Sequence, residues 1–267
     1  VDADGGRVSL RGIGLTPAMD SDSRMDTTLA EKNMRAISEL GANAVRLNVD
    51  AAWFGDEMET RANRYIDAVL TAADKHKLKV ILSMRRRPGE TPDTGDAVLW
   101  EKSENQDRLV DVWIKIAKQF RDRSELAAFD LMSRPRPPSV RDYVFFVQYL
   151  IDSIREFDTN HILIIEEPEA GGGLAEIGGG VPYIYGEALA YGFAEYHPEA
   201  FTLQGTAGRP EGVTWPGEYV TEVREVSEGG RSSTYGSHGP KQIRLESIAP
   251  EGAEYVSPRI YIDGPGS

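Results

Sequence analysis

The stretch ISELGANAVRLNV (37–49) decides how this chain is read, because it carries a helix end, a stop and a strand in immediate succession. Met34, Ile37 and Leu40 keep helical spacing, Gly41 is a good helix terminator, and NAVRLNV (43–49) follows as a strand. Upstream, Thr28 and Glu31 form a capping-box pattern for that helix, and RVSLRGIGL (7–15) is a strand before it. Downstream the alternation repeats. Ala62, Tyr65, Ile66, Val69, Leu70 and Ala73 make one apolar helix face, followed by the strand KVILSM (79–84). Leu109, Trp113, Ile116, Ala117 and Phe120 make the next face, leading to LAAFDLM (126–132). Phe146, Tyr149, Leu150 and Ile154 precede HILIIEE (161–167), and PYIYGEALAYG (182–192) holds a sixth strand. Strands separated by helices predict β/α units around a parallel sheet. His161, before its strand, is read as a capping or packing residue.

Past Gly217 the texture changes to YVTEVREV, KQIRLESI and PRIYIDG, alternating strands with Gly, Ser and Pro turns and no helix between them. The chain is therefore divided into an α/β domain at 1–217 and a small antiparallel β segment at 218–267. Six β/α units leave a barrel open, so strands within 218–262 are expected to pair with or cover the gap. The glycine-rich AGGGLAEIGGGVP (170–182) lacks GxxxxGK[ST] spacing and is expected to be a mobile loop.

Composition removes several classes. The 267 residues are 40% hydrophobic, enough for a sizeable core, and no apolar run reaches the roughly 18 residues of a membrane span. A net charge of -13 argues against a nucleic-acid partner. With no cysteine and four scattered histidines, no disulfide, thiolate chemistry or metal site is expected.

In order and spacing, the segments from about 7 to 217 resemble glycoside hydrolase family 5, the cellulase-like (β/α)8 enzymes. RGIGL resembles the family's opening strand, ISELGANAVRLNV its second β/α unit, and LKVILSMRRRPG its third strand. The run from LWEKSENQDR to LMSRP resembles the approach to an Asn-Glu-Pro motif, and SIREFDTNHILIIEE the strand that follows. EYHPEAFTLQG with TWPG resembles the loop after strand six. The resemblance implies a TIM-barrel-like fold, incomplete or remodelled after strand six. It also implies a polysaccharide or oligosaccharide partner, no cofactor, and an extracellular or cell-envelope setting in a larger protein. SPRIYIDGPGS faintly resembles the end of a jelly-roll carbohydrate-binding module.

Position by position, the implied catalytic set is substituted. The acid/base glutamate is replaced by Arg134 and its asparagine neighbour by Ser133. The histidine pair falls on Arg85 and Arg86, a strand-three aspartate on Ser83, and the later histidine on Ala194. Arg46 matches the strand-two arginine, and no segment resembling the nucleophile's is found. An arginine stays protonated and cannot act as a general acid near neutral pH. The implied activity is thus a catalytically inactive, carbohydrate-associated binding or scaffold module.

Two alternatives stand beside it. One is a divergent retaining β-glycanase with relocated carboxylates, pairing Glu166 or Glu167 with Glu187 or Glu195. The other is a structural interaction domain whose filled cleft buries Arg134 and Arg85 in ion pairs. Arg85, Arg86, Arg87, Arg134 and Arg136 cluster near the ends of strands three and four, the ligand-binding rim of such barrels. They form either an anion-binding mouth or a plug paired with Glu90, Asp93, Asp96 and Asp130. Arg46 joins Arg85, Arg87 and Arg134 as a binding candidate, and Trp53, Trp100, Tyr196 and Trp215 are candidates for stacking on sugar rings.

Overall fold

The computed structural model describes residues 9–17, 25–55, 57–91, 95, 97–168 and 184–192, with the backbone of four later strands. The chain divides into two compact units, Val1–Gly192 and Phe193–Ser267. In the first, β1 (Gly12–Leu15), β2 (Ala44–Asp50), β3 (Lys79–Arg86), β4 (Leu126–Asp130), β5 (Ile162–Glu166) and β6 (Leu189–Gly192) form one sheet in chain order. Every neighbouring pair is parallel. The crossovers up to β5 carry α1 (Thr28–Glu39), α2 (Glu59–Lys75), α3 (Ala97–Glu101), α4 (Ser103–Phe120) and α5 (Val140–Arg155). A doubly wound sheet reverses strand order at a switch point, whereas this order runs on without reversal, as in the wall of a (β/α)8 barrel.

Side chains alternate across that wall. Val45, Leu47 and Val49 of β2, with Val80, Leu82 and Met84 of β3, are fully buried and join the core that the helices close. The intervening positions, including Arg46, Ser83, Asp130 and Glu166, therefore occupy the other face. On α4 the expected Leu109, Trp113, Ile116, Ala117 and Phe120 are buried, and the Trp113 Nε1 donates to the Leu131 carbonyl at 3.1 Å. That bond ties the helix to the exit of β4.

Two local expectations are corrected. Glu31 does not cap α1. Its carboxylate reaches Lys75 Nζ at 2.7 Å and His76 Nε2 at 2.8 Å, joining α1 to the end of α2. The Thr28 amide is taken instead by Asp26 Oδ1 at 2.8 Å. On α5, Tyr149 is 52% exposed, and the buried face is built from Tyr143, Phe146, Val147, Leu150, Ile151 and Ile154. That set falls at i, i+3, i+4, i+7, i+8 and i+11, the spacing of a single face.

In the second unit, β7 (Val226–Glu228) pairs antiparallel with β8 (Arg231–Ser233), and β9 (Gln242–Ile248) with β10 (Ser257–Asp263). Each pair is its own two-stranded sheet. The glycine-rich 170–182 stretch lies outside the described residues. No helix among the described residues is long and apolar enough to cross a membrane.

Trp113 is among the largest fully buried side chains. Trp113→Ala is expected to destabilise the first unit by about 3–5 kcal/mol through cavity formation. Trp113→Phe should cost about 1–3 kcal/mol, chiefly because the Leu131 carbonyl loses its donor. Urea unfolding followed by far-UV circular dichroism measures both.

Candidate functional site

The carboxyl ends of the parallel strands carry the charged residues. The exit of β4 is fixed atom by atom. The Leu131 amide donates to the Ile164 carbonyl at 3.1 Å, and the Ser133 amide to the Met84 carbonyl at 2.9 Å. The Ser133 carbonyl accepts from Arg87 Nη1 at 2.6 Å, and the Arg134 amide donates to Glu166 Oε2 at 2.5 Å. Arg134 itself sits at φ +50°, a left-handed conformation uncommon for a residue with a side chain. The backbone at 133–134 is thus held from β3 and β5 at once, while its side chain is exposed.

Arg46 lies at the centre of the rim. Its Nε donates to Asp130 Oδ2 at 2.8 Å, and its Nη2 contacts Asp130 Oδ2 and Glu166 Oε1 and reaches Ser133 Oγ at 3.2 Å. Burial opposes the guanidinium's charge, but the two carboxylates outweigh it and raise its pKa. Asp130 is 1% exposed. Burial, and then the Glu166 charge, push its pKa up to about 7 against the pull of Arg46. The Tyr143 hydroxyl on α5 donates to the Glu166 backbone carbonyl, anchoring the end of β5. Burial raises the phenol's pKa well above its ordinary value, which keeps it a donor.

The other candidates separate into distinct environments. Arg87 is the buried arginine, in an ion pair with Glu90 at 3.0 Å. Arg85 and Arg134 are exposed, contrary to the buried pairs that a filled cleft predicts. Arg86 makes only a stretched contact of 3.9 Å with Asp50. Trp53 is 4% exposed in the 3-10 turn Ala51–Phe54, its ring edge-on to Tyr65, so it is core and not a stacking platform. Trp100, on α3, packs against Tyr143 and Phe146 and is partly buried. Glu187 precedes β6, at the sheet end opposite Glu166, so those two carboxylates do not meet. Ala194, Glu195, Tyr196, Trp215, Asp93 and Asp96 lie outside the described residues.

The carboxylate that does meet Glu166 at this guanidinium is Asp130, which the sequence reading treated only as a counter-ion. The signal for it is strand register: Ser83 pairs with Asp130, and Asp130 with Ile164, two residues before Glu166. His161 is 5% exposed and bridges Asp158 Oδ2 at 2.6 Å and the Arg123 carbonyl at 3.2 Å, a latch before β5. Among the described residues, no group of three or more His, Asp or Glu side chains is placed to hold a metal ion.

Two outcomes follow from the Arg46 cluster. Arg46→Ala leaves two carboxylates facing each other and should cost about 2–3 kcal/mol. That is below the roughly 3–5 kcal/mol of a fully buried pair because the guanidinium is 36% exposed. In the pH response, Asp130 binds a proton in the folded state between its ordinary value of 3.8 and about 7, where the unfolded chain has released it. Its contribution to stability is therefore full below pH 3.8 and is lost as pH rises through about 7. Thermal unfolding should show stability falling between about pH 4 and 7, and Asp130→Asn should flatten that fall.

The family model for cellulase, glycosyl hydrolase family 5, matches residues 1–228. Endoglucanase C of Acetivibrio thermocellus is 29% identical over 217 residues, covering 74% of this chain and 61% of its own. Cellodextrinase A of Ruminococcus flavefaciens is 25% identical over 239 residues, covering 82% and 67%. The cellulose synthase subunit Z of Clostridioides difficile superposes with a TM-score of 0.60 at 18% identity, over 78% of this chain and 70% of that one. Thermotoga maritima Cel5A, solved in complex with mannotriose, gives 0.54 at 22%, over 67% and 57%. These two structures speak for the fold alone. The chain spans 61% of the length of endoglucanase C. With two-layer β/α units in barrel order and a family model matching most of its length, this chain belongs to glycosyl hydrolase family 5.

Proposed function

We propose that this domain does not hydrolyse glycosides and acts as a carbohydrate-associated binding or scaffold module. One observation carries the reading. The backbone at 133–134, which the sequence resemblance aligns with the family's acid/base position, is braced from β3 and β5, and the side chain there is Arg134. Retaining hydrolysis needs one carboxylic acid to protonate the leaving oxygen and a second carboxylate, about 5–5.5 Å away, to attack the anomeric carbon. Arginine keeps its proton at neutral pH and offers only hydrogen-bond donors. A braced rim with a donor where the acid belongs suits holding a ligand. On the same reading the barrel occupies residues 1–217 and is followed in the chain by a β-rich segment at 218–267. The module works outside the cytoplasm, among further domains of a larger protein.

A second reading, hydrolysis by a relocated pair, is favoured by Asp130 and Glu166 sharing Arg46 with one pKa pushed up to about 7. Separated carboxylate pKa values are how acid and base roles are divided. Against it, the Asp130 carboxyl is buried behind the rim, where it meets no glycosidic oxygen. Aryl β-glycosides and soluble β-glucans, mannans and xylans separate the two. The proposal predicts no turnover above a buffer control, with retardation by at least one of the polysaccharides in affinity electrophoresis. Turnover that Glu166→Gln or Asp130→Asn abolishes would establish the relocated pair instead.

A further inference from the structure

A groove of about 740 Å³ lies beside the rim, between the 3-10 turn Ala51–Phe54, the loop after β3 and α4. We propose that it binds an acidic oligosaccharide, a sugar chain bearing carboxylate or sulfate groups, with Arg86 and Arg108 as its anion ligands. The proposal rests on the carbohydrate-associated reading above and names the ligand class.

The groove is built into the fold. At the end of β2 the ladder passes from Val49↔Met84 to Asp50↔Arg86, so Arg85 is the extra residue of a bulge. Such a bulge re-aims the side chains at a strand end, and here Arg86 is one of the residues lining the groove. The wall beyond it is the turn Arg87–Glu90, closed by the Glu90 amide on the Arg87 carbonyl at 3.1 Å. Pro88 and Gly89, the latter at φ +78°, occupy the two central positions of a type II turn. A Cβ at Gly89 would meet Asn105 Nδ2 at 2.8 Å, and Asn105 is itself buried, donating to the Val98 carbonyl at 3.0 Å. The Arg87–Glu90 ion pair is buried beneath. This wall is preformed, so a ligand does not have to order it.

The lining chemistry selects the ligand. Five basic and three acidic side chains line the groove on a chain of net charge -13. Arg87 is buried against Glu90 and the Ser133 carbonyl, and Lys115 is engaged by Glu59 at 2.7 Å. Arg86, with its side chain 48% exposed and only a 3.9 Å contact to Asp50, presents a fork suited to a carboxylate or sulfate. Arg108, exposed on α4, presents a second. Asp50 and Asp111 supply acceptors for sugar hydroxyls, and Phe54 and Ile114 contribute apolar wall. A neutral glycan would leave both guanidinium forks unused, and a simple anion would leave both carboxylates unused.

Calorimetric titration of the full chain with trigalacturonate, a sulfated chondroitin tetrasaccharide and cellotetraose tests this. At least one acidic oligosaccharide should bind, and Arg86→Gln/Arg108→Gln should weaken it at least tenfold with an unchanged melting temperature. Lys32→Gln, on α1, should leave binding unchanged. Which acidic ligand binds assigns carboxylate or sulfate. Equal affinity in the double variant would overturn the proposal. Binding of cellotetraose alone would overturn it while leaving the carbohydrate reading standing. Silence from all three, with no polysaccharide retarding the domain in electrophoresis, would remove both.

Discussion

One guanidinium bridges the two carboxylates of the rim. Arg46 lies midway along β2, and its fork joins Asp130 at the end of β4 to Glu166 at the end of β5. Two carboxylates placed this close in a partly dehydrated site repel each other strongly unless a cation stands between them. Glu166 then holds the Arg134 amide with its second oxygen, so the ion pair and the chain path after β4 are one arrangement. Removing the charge would loosen both.

That arrangement holds the exit of β4 with an arginine at position 134. The β4 exit is fixed by backbone groups, by Trp113 from α4 and by Arg87 from the β3 loop, none of which needs a glutamate at 134. Family membership alone does not carry an activity. The arginines near the ends of β3 and β4 divide in environment. Arg87 is structural and buried, whereas Arg85, Arg86 and Arg134 remain at the surface.

Much of the fold was legible in the sequence because helix periodicity and strand composition agree along the first two-thirds of the chain. The apolar faces of α2 and α4 are the buried faces, and Gly41, at φ +80°, follows α1 as expected. What the sequence concealed was tertiary. Thr28 and Glu31 match a capping box, but Glu31 is drawn to Lys75 and His76, two partners no local pattern contains. Trp53 follows a strand and looked like a rim aromatic, but the 3-10 turn rolls it onto Tyr65. Asp130 could be found only from the register that sets it beside Arg46 and Glu166, and register depends on partner strands distant in sequence.

The central claim is that the rim carboxylates are engaged in holding the fold and are not available as nucleophiles. The most direct measurement is intact-protein mass spectrometry after prolonged incubation with activated 2-deoxy-2-fluoro β-glycosides, which trap the covalent intermediate of a retaining enzyme. The account predicts an unmodified mass at every time point. A single glycosyl adduct, mapped by peptide sequencing to Glu166 or any other carboxylate of the chain, would contradict it.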